Sequence, residues 1–115
     1  MIKIKRVYLP ADKADGQRVL VDRLWPRGVA KADLHAALWL KEVAPSPALR
    51  KWFGHDPARW QEFRSRYALE LATNPALATL REFADKGDLT LLYSAHDEAH
   101  NQAVVLAEFL YQGRT

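Results

Sequence analysis

Residues 18–28 read Arg18-Val19-Leu20-Val21-Asp22-Arg23-Leu24-Trp25-Pro26-Arg27-Gly28, and this stretch decides the fold. Val19-Leu20-Val21 is apolar, uninterrupted and rich in β-branched side chains, as expected for a strand covered on both faces of a parallel sheet. Such a strand is central. It leads into residues 22–28, where Pro26 removes a ladder donor and Gly28 permits a turn, so the strand must end about there. The polar residues Asp22, Arg23 and Arg27, with Trp25 among them, then lie beyond its carboxyl end.

Upstream, Ile2, Ile4 and Val7 alternate incompletely with Lys and Arg, which predicts a first strand that is half-buried or at an edge. A polar turn containing Asp12, Asp15 and Gly16 separates the two strands. Downstream, residues 31–37 predict a short helix, and Leu38–Val43 is read as a third strand rather than as its continuation. Ser46-Pro47, Asp56-Pro57 and Asn74-Pro75 each place a side-chain capper before a proline, so three helix starts follow. The helix from Pro57 puts Trp60, Phe63, Tyr67 and Leu71 on one stripe, with Arg59, Arg66 and Glu70 toward water. The helix from Pro75 turns Leu77, Leu80, Phe83 and Ala84 inward and is expected to stop at Gly87 in a left-handed conformation. Leu89–Tyr93 predicts another strand. A final helix over roughly 98–111 is apolar around much of its circumference. Together these elements predict a small single α/β domain over residues 1–115, with a mainly parallel β-sheet flanked by helices in a Rossmann-like three-layer arrangement.

Composition narrows the function. The chain has 115 residues, 49% hydrophobic and 27% charged, which is globular usage and far from disorder. No segment reaches the apolar run of about 20 residues that crosses a bilayer, and the start MIKIKRVYLP lacks the apolar core of a signal peptide. A cytoplasmic protein with no membrane partner is therefore expected. Cysteine is absent, which removes disulfides, thiolate catalysis, thiolate zinc sites and iron–sulfur clusters. A net charge of +3 favours anionic partners only mildly.

The segment His96-Asp97-Glu98-Ala99-His100-Asn101 spells a helicase DEAH box from Asp97, and from His96 it has the spacing of a zinc-protease helix. A helicase box needs a GxxxxGK[ST] phosphate loop, and none exists in the chain. The zinc pattern needs both histidines on one helical face with a glutamate beside the first, but Asp97 stands there and His96 precedes the expected helix. No metal is assigned. The remaining reading is a strand ending at Ser94 or Ala95, followed by a helix capped by Asp97. His100 and Asn101 then project near the strand's carboxyl end.

In open α/β sheets, ligands bind beyond the carboxyl ends of the parallel strands. Two clusters belong on that edge: Asp22, Arg23, Trp25 and Arg27 after one strand, and Ser94, Asp97, His100 and Asn101 after the last. In an extended segment Arg23, Trp25 and Arg27 share a side, so two guanidinium groups flank one indole and suit an oxyanion on a flat or apolar body. Equally open is a structural role, with Arg23 paired to Asp22 or another acid and Trp25 in the core. His55, before a capped helix, is either a proton donor or anion contact at the rim or a turn residue stacked on a ring. Arg64 either faces water or reaches inward.

The runs RVLVDRLWPRG, LWLKEVAPSPALRKWFGHDPARWQEFRSRY and LLYSAHDEAHNQAVVLAEFL closely resemble the YeaO-like branch of the proteins called domain of unknown function 488. The likeness covers nearly the whole chain. It implies a small cytosolic bacterial α/β protein and brings no established reaction. Other branches carry a cysteine after the last strand and a Cys-His-Arg at the next helix. Here Tyr93 and roughly His100-Asn101-Gln102 stand at those places, so thiol or metal chemistry does not carry over.

These residues point first to a pocket for a small anionic ligand, phosphorylated or nucleotide-like. Arg23 and Arg27 would neutralise it, Trp25 and Tyr93 would give contact surface, and Ser94, Asn101 and helix N–H groups near Asp97 would complete the cradle. Asp22, His55 and His100 are the candidate proton carriers, with no cofactor assigned. The alternative is a nucleic-acid-binding module using Arg18, Arg23, Arg27, Lys31, Arg50 and Lys51 on phosphates. A protein-interaction surface around Trp39 or Trp52 is the third possibility.

Overall fold

The computed structural model describes residues 1–112. Its strands β1 (Ile2–Arg6), β2 (Gln17–Leu20), β3 (Leu38–Trp39) and β4 (Leu89–Tyr93) lie in the order β1-β4-β2-β3, every neighbouring pair parallel. Five helices accompany them: α1 (Lys31–Leu34), α2 (Pro47–Phe53), α3 (Trp60–Ala72), α4 (Leu77–Lys86) and α5 (Gln102–Gln112). β4 pairs on both sides, Ile2 to Arg6 running against Leu89 to Tyr93 and Gln17 to Leu20 against Leu89 to Leu92. Every residue of β4 is buried. β2 is likewise internal, between β4 and β3, as its apolar run required.

The strand pleat divides the core. Val19, Val21, Leu89, Leu91 and Tyr93 join Phe63, Tyr67, Leu80 and Leu106 in the main cluster, to which α2, α3, α4 and α5 all contribute. Leu20 and Leu92 face the other way and meet Val7 and Leu34, with Trp25, Val29 and Trp39 packed alongside. The two faces are thus unequally covered, one by four helices and one by a single short helix and loops. The reason lies in the residues of the second face. Lys5 and Arg18 alternate with the apolar positions there, and both ion-pair with the buried Asp15. Desolvation pushes the Asp15 carboxyl up, but the Asp12 backbone N–H, Lys5 and Arg18 outweigh it and leave its pKa lowered.

Several local expectations change. Leu38–Val43 is a strand only over Leu38–Trp39, after which Lys41–Val43 forms a 3-10 turn that buries Val43. Ser46 caps α2 by accepting from Leu49 N at 3.2 Å, and Glu70, expected in water, instead accepts from Ser46 N at 2.9 Å and Oγ at 2.7 Å. Asp56 caps a 3-10 turn that leads into α3. Gly87 is not left-handed: its φ of 163° is extended backbone. The last helix begins at Gln102, because Asn101 rather than Asp97 accepts from the free N–H groups, those of Ala103 and Val104.

Gly16 is where a side chain is least tolerable. It has φ 63°, and a Cβ there would lie 2.2 Å from the carbonyl oxygen of Asp88, at the start of β4. That oxygen accepts from Gln17 N, the first bond of the β2–β4 ladder. Gly16→Ala should therefore cost on the order of 3 kcal/mol. Urea unfolding measures it, and a loss under half a kilocalorie would show that the loop yields freely.

Candidate crevice at the carboxyl edge of the sheet

All four strands point their carboxyl ends at an open crevice of about 940 Å3. Its walls are the segments following β1, β2, β3 and β4, closed on one side by α2 and α3. A volume of this size accommodates a whole metabolite.

Asp22 forms part of the floor, 8% exposed, immediately after the central run. Its Oδ2 accepts from Ser94 N at 2.9 Å and Ser94 Oγ at 2.7 Å, and its Oδ1 accepts from the Gln102 amide. Desolvation is the largest influence on this carboxyl and raises its pKa, against the lowering effect of Ser94, Gln102 and the Arg50 charge. The two strand ends and the start of α5 are therefore joined at one buried acid.

Among the described residues four arginines line the crevice: Arg6, Arg23, Arg27 and Arg50. Arg23 binds no carboxylate among the described residues. It donates Nε to Pro45 O and Nη2 to Ala44 O, both at 3.2 Å. Arg6 donates to Ala95 O at 2.9 Å and Ser94 O at 3.2 Å. Arg27 and Arg50 are exposed, and their guanidinium groups have no hydrogen bond or ion pair among the described residues. The carboxylates of the lining are Asp22 and Asp97.

The other expected site residues divide. Trp25, Ser94, Asp97 and Asn101 all line the crevice, although residues 22–28 bend rather than run extended. The Trp25 indole N–H is taken by Val29 O at 2.6 Å, and its ring meets Trp39 edge-on at 5.4 Å. Asn101 is almost wholly buried and holds Asp97 O through its Nδ2 at 2.9 Å, besides capping α5. The helix N–H groups expected to greet a ligand are thus already used. His55 stands exposed at the rim with φ 56°, its ring 6.2 Å from Phe53.

Tyr93 and His100 are not in the lining. Tyr93 points into the main core, because the pleat sends it to the helix-covered face with Leu89 and Leu91. His100 lies edge-on to Trp60 at 5.2 Å, with Nδ1 2.9 Å from Asp97 Oδ2. That contact, followed by the backbone N–H of Ala99, lowers the Asp97 pKa. His96 and His100 both precede α5, so the zinc-helix arrangement is not formed. Arg64 reaches Glu108 at 2.5 Å and ties α3 to α5. Of the basic cluster considered for nucleic acid, Arg18 is buried between Asp15 and Leu34 O and cannot meet a phosphate. Trp39 donates to Asp22 O at 2.8 Å, and the Arg59 and Arg66 guanidinium groups lie 5.3 and 4.4 Å from the Trp52 ring; both indoles are half-buried.

The site also contains residues not singled out from the sequence for this pocket, namely Arg6, Arg50, His96 and Gln102. Arg6 carried a signal, since it ends a strand, but its use depends on β1 lying beside β4.

Fold and crevice together define a small parallel α/β protein with a cationic cleft at the carboxyl edge of its sheet. The family model described as the Inactive DUF488-N3 subclade matches residues 1–114, and the chain belongs to that family. It is similar to the uncharacterised protein YeaO of Escherichia coli, 48% identical over 110 residues that cover 95% of this chain and 96% of YeaO. An uncharacterised protein of Mycobacterium tuberculosis is 45% identical over 109 residues, covering 95% and 92% of the two chains. No solved structure matches the chain. No helix among the described residues is long and apolar enough to cross a membrane.

A raised carboxyl pKa means that the folded state holds the Asp22 proton more tightly than the unfolded chain does. The associated stability is full below the ordinary carboxyl range and is lost as pH rises through the raised value. Asp22→Asn removes that titration. Urea unfolding from pH 4 to 7 should show the variant gaining on the parent as pH rises; a constant difference would mean that Asp22 does not titrate abnormally.

Proposed function

We propose that the crevice binds a small anionic ligand, phosphorylated or nucleotide-like, without transforming it. One observation carries this reading: among the described residues four arginines from three segments of the chain line one cleft, and the guanidinium groups of two of them, Arg27 and Arg50, make no hydrogen bond or ion pair. Guanidinium forks match the oxygens of phosphate and carboxylate, and they stay charged whatever surrounds them. Apolar surface from Leu24, Trp25 and Phe53 gives the ligand's body something to cover.

Binding without turnover is favoured over catalysis because the candidate proton carriers do not converge. Asp22 is saturated by Ser94 and Gln102, His55 stands at the rim, and His100 packs on Trp60 outside the lining. Ser94 gives its hydroxyl to Asp22 and, among the described residues, makes no hydrogen bond to an imidazole that could serve as its base. The description of the family as inactive agrees with that chemistry.

Thermal denaturation with inorganic phosphate, sugar phosphates and nucleotides tests the proposal. A ligand at a hundred times its Kd should raise Tm by roughly 10 °C for a domain of this size. The double substitution Arg27→Ala with Arg50→Ala should abolish the shift. An undiminished shift in that variant would place the anion elsewhere.

A further inference from the structure

We infer that Tyr8 is a positioning residue of this site: its hydroxyl fastens the loop that carries Arg27 to the turn after β1, and its ring lies against Arg6. The inference rests on the anion-binding reading above and names a residue through which that site is ordered.

Arg27 needs such a hold. Its guanidinium group is exposed and makes no hydrogen bond or ion pair among the described residues, so its place depends on its backbone. That backbone belongs to the loop between β2 and α1. Trp25 roots the loop, because its indole N–H is taken by Val29 O and its ring meets Trp39 edge-on. Pro26 is buried beside it, whereas Arg27 and Gly28 are exposed, and Gly28 turns the chain at φ 75°. A Cβ on Gly28 would meet no heavy atom of the described residues within 4 Å, so nothing packs against that point of the turn. The Tyr8 hydroxyl donates to Arg27 O at 3.1 Å, and among the described residues no other hydrogen bond ties residues 24–28 to a different segment.

Tyr8 is itself held in place. Leu9 N donates to Arg6 O at 3.1 Å and closes the turn around it, while the preceding Val7 donates to Tyr93 O at 2.8 Å and is buried with Leu20 and Leu92. The Arg6 guanidinium lies 5.0 Å from the centre of the Tyr8 ring, with Nε and Nη2 fixed on Ala95 O and Ser94 O. Arg6, Tyr8 and Arg27 all line the crevice. An aromatic ring attracts a guanidinium, and a phenol hydroxyl supplies the donor that a carbonyl at a turn lacks. Both ends of this side chain are thus spent on segments that bear arginines of the lining. Tyr8 stays 48% exposed, so it is not a core residue, and its contacts serve the crevice more than the interior.

NMR titration of the whole protein with inorganic phosphate tests the role, in the parent, Tyr8→Phe, Arg27→Ala and the double variant. Tyr8→Phe keeps the ring and removes one hydrogen bond, so phosphate affinity should fall roughly three- to fivefold. Backbone order parameters at Arg27 and Gly28 should drop in the ligand-free variant. In the Arg27→Ala background the same change should cost no further affinity, because the hydroxyl acts through Arg27. If Tyr8→Phe leaves either the order parameters or the phosphate affinity unchanged, the positioning role fails and anion binding stands. If its loss adds in full to that of Arg27→Ala, the hydroxyl acts independently of Arg27 and the role fails equally. A parent that binds no phosphate removes the anion reading, and this role with it.

Discussion

The buried Asp22 carboxyl is the constraint on which the crevice depends. It leaves the main chain where β2 ends and gathers the backbone N–H and hydroxyl of Ser94, where β4 ends, and the amide of Gln102, where α5 begins. Its own carbonyl takes the Trp39 indole from β3. A carboxyl this deeply buried is costly unless its oxygens are filled, and a half-filled network is worse than an apolar one. Satisfying Asp22 therefore fixes three strand ends and one helix start at once. The chain must then diverge around that point, and the divergence is the crevice.

That arrangement is assembled across long sequence distances. β4 sits between β1 and β2, so the first strand and the last hydrogen-bond side by side, and the N-terminal amine itself meets Asp88 at 3.2 Å. Closing so long a loop must precede any reward from the ladder, which places completion of the sheet late in folding. Before β4 docks, Arg6 has no carbonyls to hold it and Asp22 no donors. The site is thus a property of the finished sheet and of no single segment.

Much of the scaffold was legible locally. Val19-Leu20-Val21 and Leu89–Tyr93 announced buried strands, and the Phe63, Tyr67 and Leu71 stripe announced α3; of the three capper-proline pairs Ser46-Pro47 starts α2 and Asp56-Pro57 a 3-10 turn leading into α3, whereas α4 begins only at Leu77, two residues beyond Pro75. Other features hung on contests that local sequence leaves undecided. Asp97 and Asn101 are both competent caps, and burial of Asn101 against the last strand gave it the role, moving the start of α5 to Gln102. In the site, Arg23, Arg27 and Ser94 were readable because they follow strands, whereas Arg6 and Arg50 join them only through strand order and helix placement. Tyr93 and His100 lie one residue before Ser94 and one before Asn101, and strand pleat and turn geometry sent both elsewhere.

Arginine serves this crevice better than lysine would, because its planar fork can spend some donors on the protein and keep others for a ligand. Arg6 and Arg23 each commit Nε and Nη2 to carbonyl oxygens, which fixes the plane and direction of the guanidinium before anything binds. The entropy of ordering a long side chain is then met on folding, and association need not repeat it. The guanidinium groups of Arg27 and Arg50, exposed and without a hydrogen bond or ion pair among the described residues, keep their freedom. The cleft therefore combines arginines whose direction is set by the fold with arginines whose guanidinium groups are not held by it, an arrangement that lysine, with its single point of charge, would not give.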